Sequence, residues 1–378
     1  MFFVKGRKKN GHQNSKDYDV MISGYFGFDN IGEEAVLLSI IENLRAYKQD
    51  IKIVVLSNDI NKTKVSYNVD AVDRNKYFEI IKTMFRTKMY ISAGGHFIKD
   101  NVLVSMLYYL SAIWIAKKIG LKVVLYSNGA GPLTEKISTK LTEKVLNNVD
   151  IITIREEMSW NLLRQLKITK PQILLTADSA LTLKCFNETD VDDFLRNQGV
   201  DLSLPILGFS ITGCRDWSNK FIEYIFLIAN FMRDKYQMNI IFLPTESGGA
   251  AFCEKILNRM DGEGYIIKGN TISQTIGIIK KVDMLISNRY HPLVFSAGVG
   301  TPAIGIAWER RIESVVDYYN LVSAGYIKNL EFKDFRCIVE RTWENRMNIR
   351  TQRMDNISNI KEKSYQNAKV TIDILKSI

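Results

Sequence analysis

Histidine is scarce in this chain, with three in 378 residues, and cysteine barely more frequent, with four. The cysteines are Cys185, Cys214, Cys253 and Cys337, and no two stand at metal-ligand spacing, so a zinc knuckle is not indicated. They are also too sparse for a disulfide scaffold, which makes a reducing compartment the simpler expectation. A long apolar run is missing too. The most extended one, Val102 to Ala116, is broken by Ser105 and Ser111 and closed by Lys117-Lys118. It falls short of the roughly 20 residues that cross a bilayer and reads as a core helix, with a membrane-inserting element as the alternative. The N-terminal stretch has an apolar tip but no apolar core of secretory-signal length. The expected location is therefore the cytoplasm.

What is present is an ordinary globular composition, 46% hydrophobic, on a chain long enough for two domains. The net charge is +10, which favours anionic partners: nucleic acid, anionic lipid or phosphorylated substrates. No RNA- or DNA-binding motif accompanies it, so nucleic acid is not expected. The basic cluster Lys5 to Lys9 reads as part of a solvated, flexible tail spanning residues 1–17. Its second reading is peripheral contact with the inner face of the plasma membrane.

Short β-branched runs alternate with amphipathic segments, the pattern of βαβ units and parallel sheets. One set of expected strands is Asp19–Ser23, Ile51–Leu56, Met89–Ser92, Lys122–Tyr126, Ile151–Ile154 and Ile173–Thr176. After a polar connection near Asn187–Asp193 comes a second set: Ile206–Ile211, Asn239–Leu243, Tyr265–Lys268, Met284–Ser287 and Ala303–Ala307. The fold class is α/β, with two Rossmann-like, doubly wound domains facing each other across a cleft, residues 18–187 and 188–330. A helical tail, 331–378, follows. Ligands of such sheets bind beyond the C-terminal strand ends, so those loops should hold the chemistry.

Three of these loops are glycine turns. Gly24, Gly27 and Gly32, with Asn30 and Glu33, lie between the first strand and its helix, where backbone amides and a helix N-terminus can receive an anion. Their spacing fits neither a dinucleotide fingerprint nor a P-loop. A second turn carries Gly94, Gly95, His96 and Lys99, and a third is Gly129-Ala130-Gly131-Pro132. The sharper candidate is Ser287-Asn288-Arg289-Tyr290-His291-Pro292, which follows an apolar strand and opens a helix, with Pro292 suited to its first turn. Arginine grips phosphate or carboxylate in two-pronged fashion, and histidine moves a proton near neutral pH. Only His291, among the three histidines, has an arginine close by in sequence. Arg215 and Arg311 follow other strands of the same half and are candidates for the same cleft.

In order and spacing these elements resemble the polysaccharide pyruvyl transferases. The resemblance runs from Gly24-Tyr-Phe-Gly-Phe-Asp-Asn-Ile-Gly-Glu-Glu-Ala35 through Gly94-Gly95, Asp100 and Gly129-Ala-Gly-Pro132. It continues through Arg155-Glu-Glu-Met-Ser159 and Asp178 to Arg289-Tyr-His291-Pro-Leu-Val-Phe-Ser-Ala297 and Pro302-Ala-Ile-Gly305-Ile306. It implies a GT-B-like fold, phosphoenolpyruvate as donor and a glycan or lipid-linked oligosaccharide as acceptor. It further implies that Arg289, Tyr290, Arg215 and Arg311 bind the donor, that His291 carries the proton, and that the N-terminal glycine loops hold the acceptor. No metal and no cofactor beyond phosphoenolpyruvate as co-substrate are implied. The chain departs from the family pattern in Tyr290, where leucine is usual, and in Ala93, where a third glycine is usual. Arg215 stands three residues late, and Arg311 takes the place of a lysine. Two other functions fit the same pattern: a GT-B glycosyltransferase using a nucleotide sugar, with Thr245-Glu246-Ser-Gly248-Gly249 as its diphosphate loop, or a non-catalytic glycan-binding scaffold.

Overall fold

The computed structural model describes residues 16–95, 103–213, 218–246, 248–268 and 270–378. Three candidate residues, His96, Lys99 and Arg215, lie outside the described residues. The first half runs β1 (Tyr18–Ser23), α1 (Ile31–Tyr47), β2 (Ile53–Ser57), α2 (Ile60–Tyr67), β3 (Asp70–Asp73), α3 (Tyr77–Met84), β4 (Thr87–Ala93), α4 (Leu103–Ile119), β5 (Lys122–Asn128), α5 (Lys136–Leu146), β6 (Ile151–Ile154), α6 (Glu157–Gln165) and β7 (Gln172–Leu175). The second half runs α7 (Glu188–Asn197), β8 (Ile206–Ser210), α8 (Ser218–Tyr236), β9 (Asn239–Phe242), α9 (Gly249–Leu257), β10 (Tyr265–Ile266), α10 (Ile272–Lys281), β11 (Met284–Ser287), α11 (Tyr290–Val299), β12 (Ala303–Ala307), α12 (Arg310–Tyr318) and β13 (Val322–Tyr326). Two C-terminal helices, α13 (Phe332–Glu344) and α14 (Arg346–Lys376), complete the chain.

The strands form two parallel sheets, in the order β3-β2-β1-β4-β5-β6-β7 and β10-β9-β8-β11-β12-β13. Each is a doubly wound sheet of Rossmann type, as the alternation of elements predicts. In both, the strand order reverses next to the first strand: between β1 and β4, and between β8 and β11. The loops that diverge at those two points carry the glycine turns and Arg289-Tyr290-His291, so topology alone gathers the candidate residues. Two strands, β3 and β13, are absent from the pattern of apolar runs in the sequence. Both are edge strands with partly exposed residues, so neither shows the continuous apolar run of a central parallel strand.

Alternating residues of β1 feed opposite faces. Val20 and Ile22 pack with α1, whereas Met21 packs with α4 and α5. The core helix expected at Val102–Ala116 is α4, which buries Met106, Tyr109, Leu110, Ile113 and Ala116. Its other face is not covered: Val104 and Trp114 are exposed.

The two halves are joined at several points. The Ile31 amide donates to the Thr245 carbonyl at 3.3 Å. Arg155, fully buried after β6, pairs with Asp178 at 2.6 Å, and its guanidinium lies 4.2 Å from the Tyr290 ring centroid. Truncating one member of a buried pair strands the other charge, at a cost of about 3–5 kcal/mol. Asp178→Ala should therefore lower the unfolding free energy by that amount, read from urea midpoints at constant m-value.

Candidate functional site

The site is built around the N-termini of α1 and α11. Asn30 caps α1, its Oδ1 accepting from the amides of Gly32 at 3.1 Å and Glu33 at 3.3 Å. Glu34 ties the preceding loop down, accepting from the Gly27 amide at 2.7 Å and from the Tyr67 hydroxyl at 2.5 Å. Gly27 in turn packs on the Ser57–Asp59 loop, and the Gly24 carbonyl accepts from Arg74 at 3.1 Å. The glycine loop is thus a fixed rim, held by its own side chains and by its neighbours.

Arg289 is the N-cap of α11, with Tyr290 and His291 in the first turn. The Arg289 amide donates to Ser287 Oγ at 2.9 Å, and its guanidinium forms an ion pair with Glu246. Burial pulls the Arg289 guanidinium below its usual value, and Glu246 opposes that pull. Arg311 is paired with Glu309, Nη2 to Oε1 at 2.8 Å, and stands 5.6 Å from the Tyr290 ring. Asn288 clamps the neighbouring loop, accepting from the Thr212 amide at 3.0 Å and donating to its carbonyl at 2.8 Å. Trp308 Nε1 donates to the Asn288 carbonyl at 3.2 Å.

His291, 8% exposed, reaches the opposite half. A Cβ placed on Gly32 would fall 2.0 Å from His291 Nδ1 and 2.3 Å from Cγ, so only glycine at position 32 lets the imidazole lie there. Glu33, the next residue, is buried, and its Oε2 has no hydrogen-bond partner among the described residues. It faces Gly94, whose φ of +69° and lack of a side chain leave room for that carboxyl: a Cβ on Gly94 would lie 2.7 Å from Glu33 Oε2. The Gly94 carbonyl is held by Asn128 Nδ2 at 2.9 Å, and a Cβ placed on Gly95 would meet nothing within 4 Å among the described residues.

Burial pushes the Glu33 carboxyl above its ordinary range, while Arg155 and Arg311 pull against it. A carboxyl raised in this way holds its proton more tightly folded than unfolded. Its burial therefore costs nothing below its unfolded value and weakens the fold as pH rises past it. Glu33→Gln removes that cost. The variant should be more stable than wild type at neutral and alkaline pH, with the gap closing below about pH 4. Urea midpoints measured across pH check the sign.

The structure brings together Asn30, Gly32, Glu33, Gly94 and Gly95 from the first half with Arg289, Tyr290, His291 and Arg311 from the second. Tyr290 is buried, its ring facing Arg155 and Arg311 and meeting the His291 ring edge-on at 5.2 Å. Two acidic residues prove to be partners of the site's arginines: Glu246, which the sequence places only in the diphosphate loop of the rival reading, and Glu309, which it places only beside Arg310-Arg311. Each follows a strand of the second sheet at the same rim as Arg289, which is the signal that marks them. Among the described residues no group of three His, Cys, Asp or Glu is arranged to hold a metal ion.

Comparison with known proteins agrees with this architecture. The family model described as polysaccharide pyruvyl transferase matches residues 30–310. No curated protein sequence matches the chain. Among solved structures, HepE of Anabaena, solved with UDP and glucose, superposes with a TM-score of 0.65 at 10% identity, covering 96% of this chain and 100% of that one. A putative UDP-N-acetylglucosamine 2-epimerase from Listeria monocytogenes gives 0.67 at 10% identity, covering 95% and 96%. Heptosyltransferase II of E. coli gives 0.53 at 11% identity, covering 86% and 99%. At such identities the likeness is one of fold: two Rossmann-like domains in the GT-B arrangement.

Proposed function

The chain belongs to the polysaccharide pyruvyl transferase family, and we propose that it moves the pyruvyl group of phosphoenolpyruvate onto two hydroxyls of one sugar, forming a cyclic ketal on a surface-polysaccharide precursor. The observation that carries this reading is the meeting of two helix N-termini, one from each sheet, at a single imidazole. Helix N-termini favour anions, and the donor carries two anionic groups.

In this reading Arg289 and Arg311 exchange their carboxylate partners, Glu246 and Glu309, for the donor's phosphate and carboxylate. Tyr290 backs them through its ring. Arg215, which follows Thr212 by three residues in sequence, is assigned to the same anion. His291, as imidazolium, gives a proton to the methylene carbon, which becomes the methyl group, and the central carbon becomes electrophilic. An acceptor hydroxyl adds to that carbon and passes its proton to Glu33, a buried carboxyl fitted to hold one. Phosphate leaves with the C–O electron pair. The second hydroxyl then closes the ring and yields its proton to solvent. Fixed cations beside the developing charge lower the barrier by several kcal/mol. Asn30, Gly24, Gly27, Gly94, Gly95, His96 and Lys99 are assigned to the acceptor side.

The test is phosphate release from phosphoenolpyruvate with a panel of soluble and lipid-linked glycans, together with melting temperatures in the two ligand classes. Acceptor-dependent release, and stabilisation by phosphoenolpyruvate of RT ln(1 + [L]/Kd), are expected. Stabilisation by UDP alone, without release, would overturn the reading in favour of a nucleotide-sugar glycosyltransferase.

A further inference from the structure

A groove of about 1160 Å³ opens between α3, α4 and α5, on the face of the first sheet opposite α1. Arg74, Leu107, Tyr108, Trp114 and Lys144 line it. The helix beneath it is apolar on both sides. One side of α4 is buried in the core, while Leu103, Val104, Leu107 and Trp114 point outward, 42%, 84%, 42% and 49% exposed. Beside them α3 exposes Tyr77 and Phe78, at 61% and 92%. An apolar face of this extent on a globular protein marks a surface with a partner.

Lysines predominate around it, although α3 opens with the exposed Lys76–Glu79 pair and α5 carries Glu143. Lys118, Lys136, Lys140 and Lys144 are exposed on α4 and α5, and no acidic residue occurs between Asp100 and Glu135. Lys118 Nζ lies 5.6 Å from the Trp114 ring, its stem along the apolar face and its ammonium at the rim. Aromatic and aliphatic side chains bordered by lysines are the composition of an element that lies in the headgroup region of a bilayer. No described helix is long and apolar enough to cross a membrane, so such contact would be peripheral.

We propose that this face docks on an anionic phospholipid bilayer, with Leu103, Val104, Leu107 and Trp114 entering the acyl boundary and the lysines meeting headgroup phosphates. Charge argues against a second copy of the chain as occupant, because a two-fold contact through this face would set its lysines against their own images. Continuity with the site argues for a membrane. Arg74, which lines the groove, stands 5.9 and 5.1 Å from the Tyr25 and Phe28 rings and 5.0 Å from Tyr108, and donates to the Gly24 carbonyl at 3.1 Å. The groove therefore leads to the glycine rim. A lipid-linked glycan in the docked leaflet would be presented at that rim. This last step alone rests on the functional reading above; the docking does not.

Flotation of the full chain with two vesicle types tests it: phosphatidylcholine alone, and equal parts phosphatidylcholine and phosphatidylglycerol. The wild type should float with the anionic vesicles and several-fold less with the neutral ones. Leu107→Glu/Trp114→Glu should cut the bound fraction at least about tenfold, and Val104→Asp should act in the same direction. Melting temperatures and phosphate release on a water-soluble acceptor should stay at wild-type values, which keeps failure of docking separate from failure of the transfer reading. A wild type that stays at the bottom of both gradients, or variants that float as well as wild type, would overturn the proposal. Equal flotation with both vesicles would overturn the anionic assignment. A dimer in sedimentation that the double variant dissolves, with no vesicle binding, would give the face to a second copy instead.

Discussion

His291→Gln is expected to leave a folded protein whose phosphoenolpyruvate-dependent phosphate release has dropped by about 10²–10⁴-fold, the usual worth of a positioned acid. The imidazole is nearly buried, on a helix buried on all sides from Tyr290 to Gly298, and the helix opens with Arg289 as its cap. Glutamine occupies similar space and keeps a donor, so packing survives while proton transfer near neutral pH is lost. Donor affinity should change little, because in this reading the two arginines hold the anion. Phosphate release gives the loss and calorimetric titration gives the affinity. A variant with near-wild-type turnover would remove His291 from the mechanism, and one that loses donor binding as well would make it a ligand for the anion rather than a proton carrier.

The second large effect is expected from a change in the other half of the chain. Gly32→Ala adds a methyl group whose position lies 2.0, 2.3 and 2.8 Å from Nδ1, Cγ and Cβ of His291. Real Cβ contacts do not come so close, so the ring must move. It cannot turn freely, since Tyr290 meets it edge-on and Phe295 lies 6.2 Å away on the next helical turn. A displacement of about 1 Å at a catalytic group costs on the order of 10²-fold. Helix propensity alone would have alanine stabilise α1 by up to about 1 kcal/mol. The expected result has the opposite sign: turnover falls about 10²-fold and stability falls by about 1–3 kcal/mol, as for other overpacked positions. A G32A enzyme that is more stable and fully active would show that the two halves do not meet at His291 during turnover.

The sequence was most informative where structure is local. Parallel strands buried on both faces spell themselves out as β-branched runs, and Pro292 after Arg289-Tyr290-His291 marks a helix start wherever the rest of the chain goes. The edge strands Asp70–Asp73 and Val322–Tyr326 were illegible because half-exposed edges need no apolar run. Pairings across the fold were hidden too. Nothing near Arg289 in sequence announces Glu246, and Gly32 reads as one more permissive turn residue until His291 is seen against it. The apolar segment Val102–Ala116 shows a subtler limit. Its composition reveals that both faces are apolar, but only the packing tells which is core and which is left outward.

The long helix α14 sets the timetable by which the protein can be made. Arg350, near its start, donates to the Val282 carbonyl at 2.8 Å in the second half. Farther on, Asn367 donates to the Ala177 carbonyl at 3.0 Å across a sequence separation of 190 residues, and Ala368, Ile372 and Leu375 enter the same core as α1. The first sheet is therefore complete in sequence long before one of its faces is closed. A nascent chain emerging from the ribosome must carry that open apolar face throughout synthesis of the entire second half, and the segment that covers it is translated only after that half. Chaperone demand during translation should accordingly fall on the first half, and a ribosome stalled anywhere before residue 368 should expose the α1 face to protease.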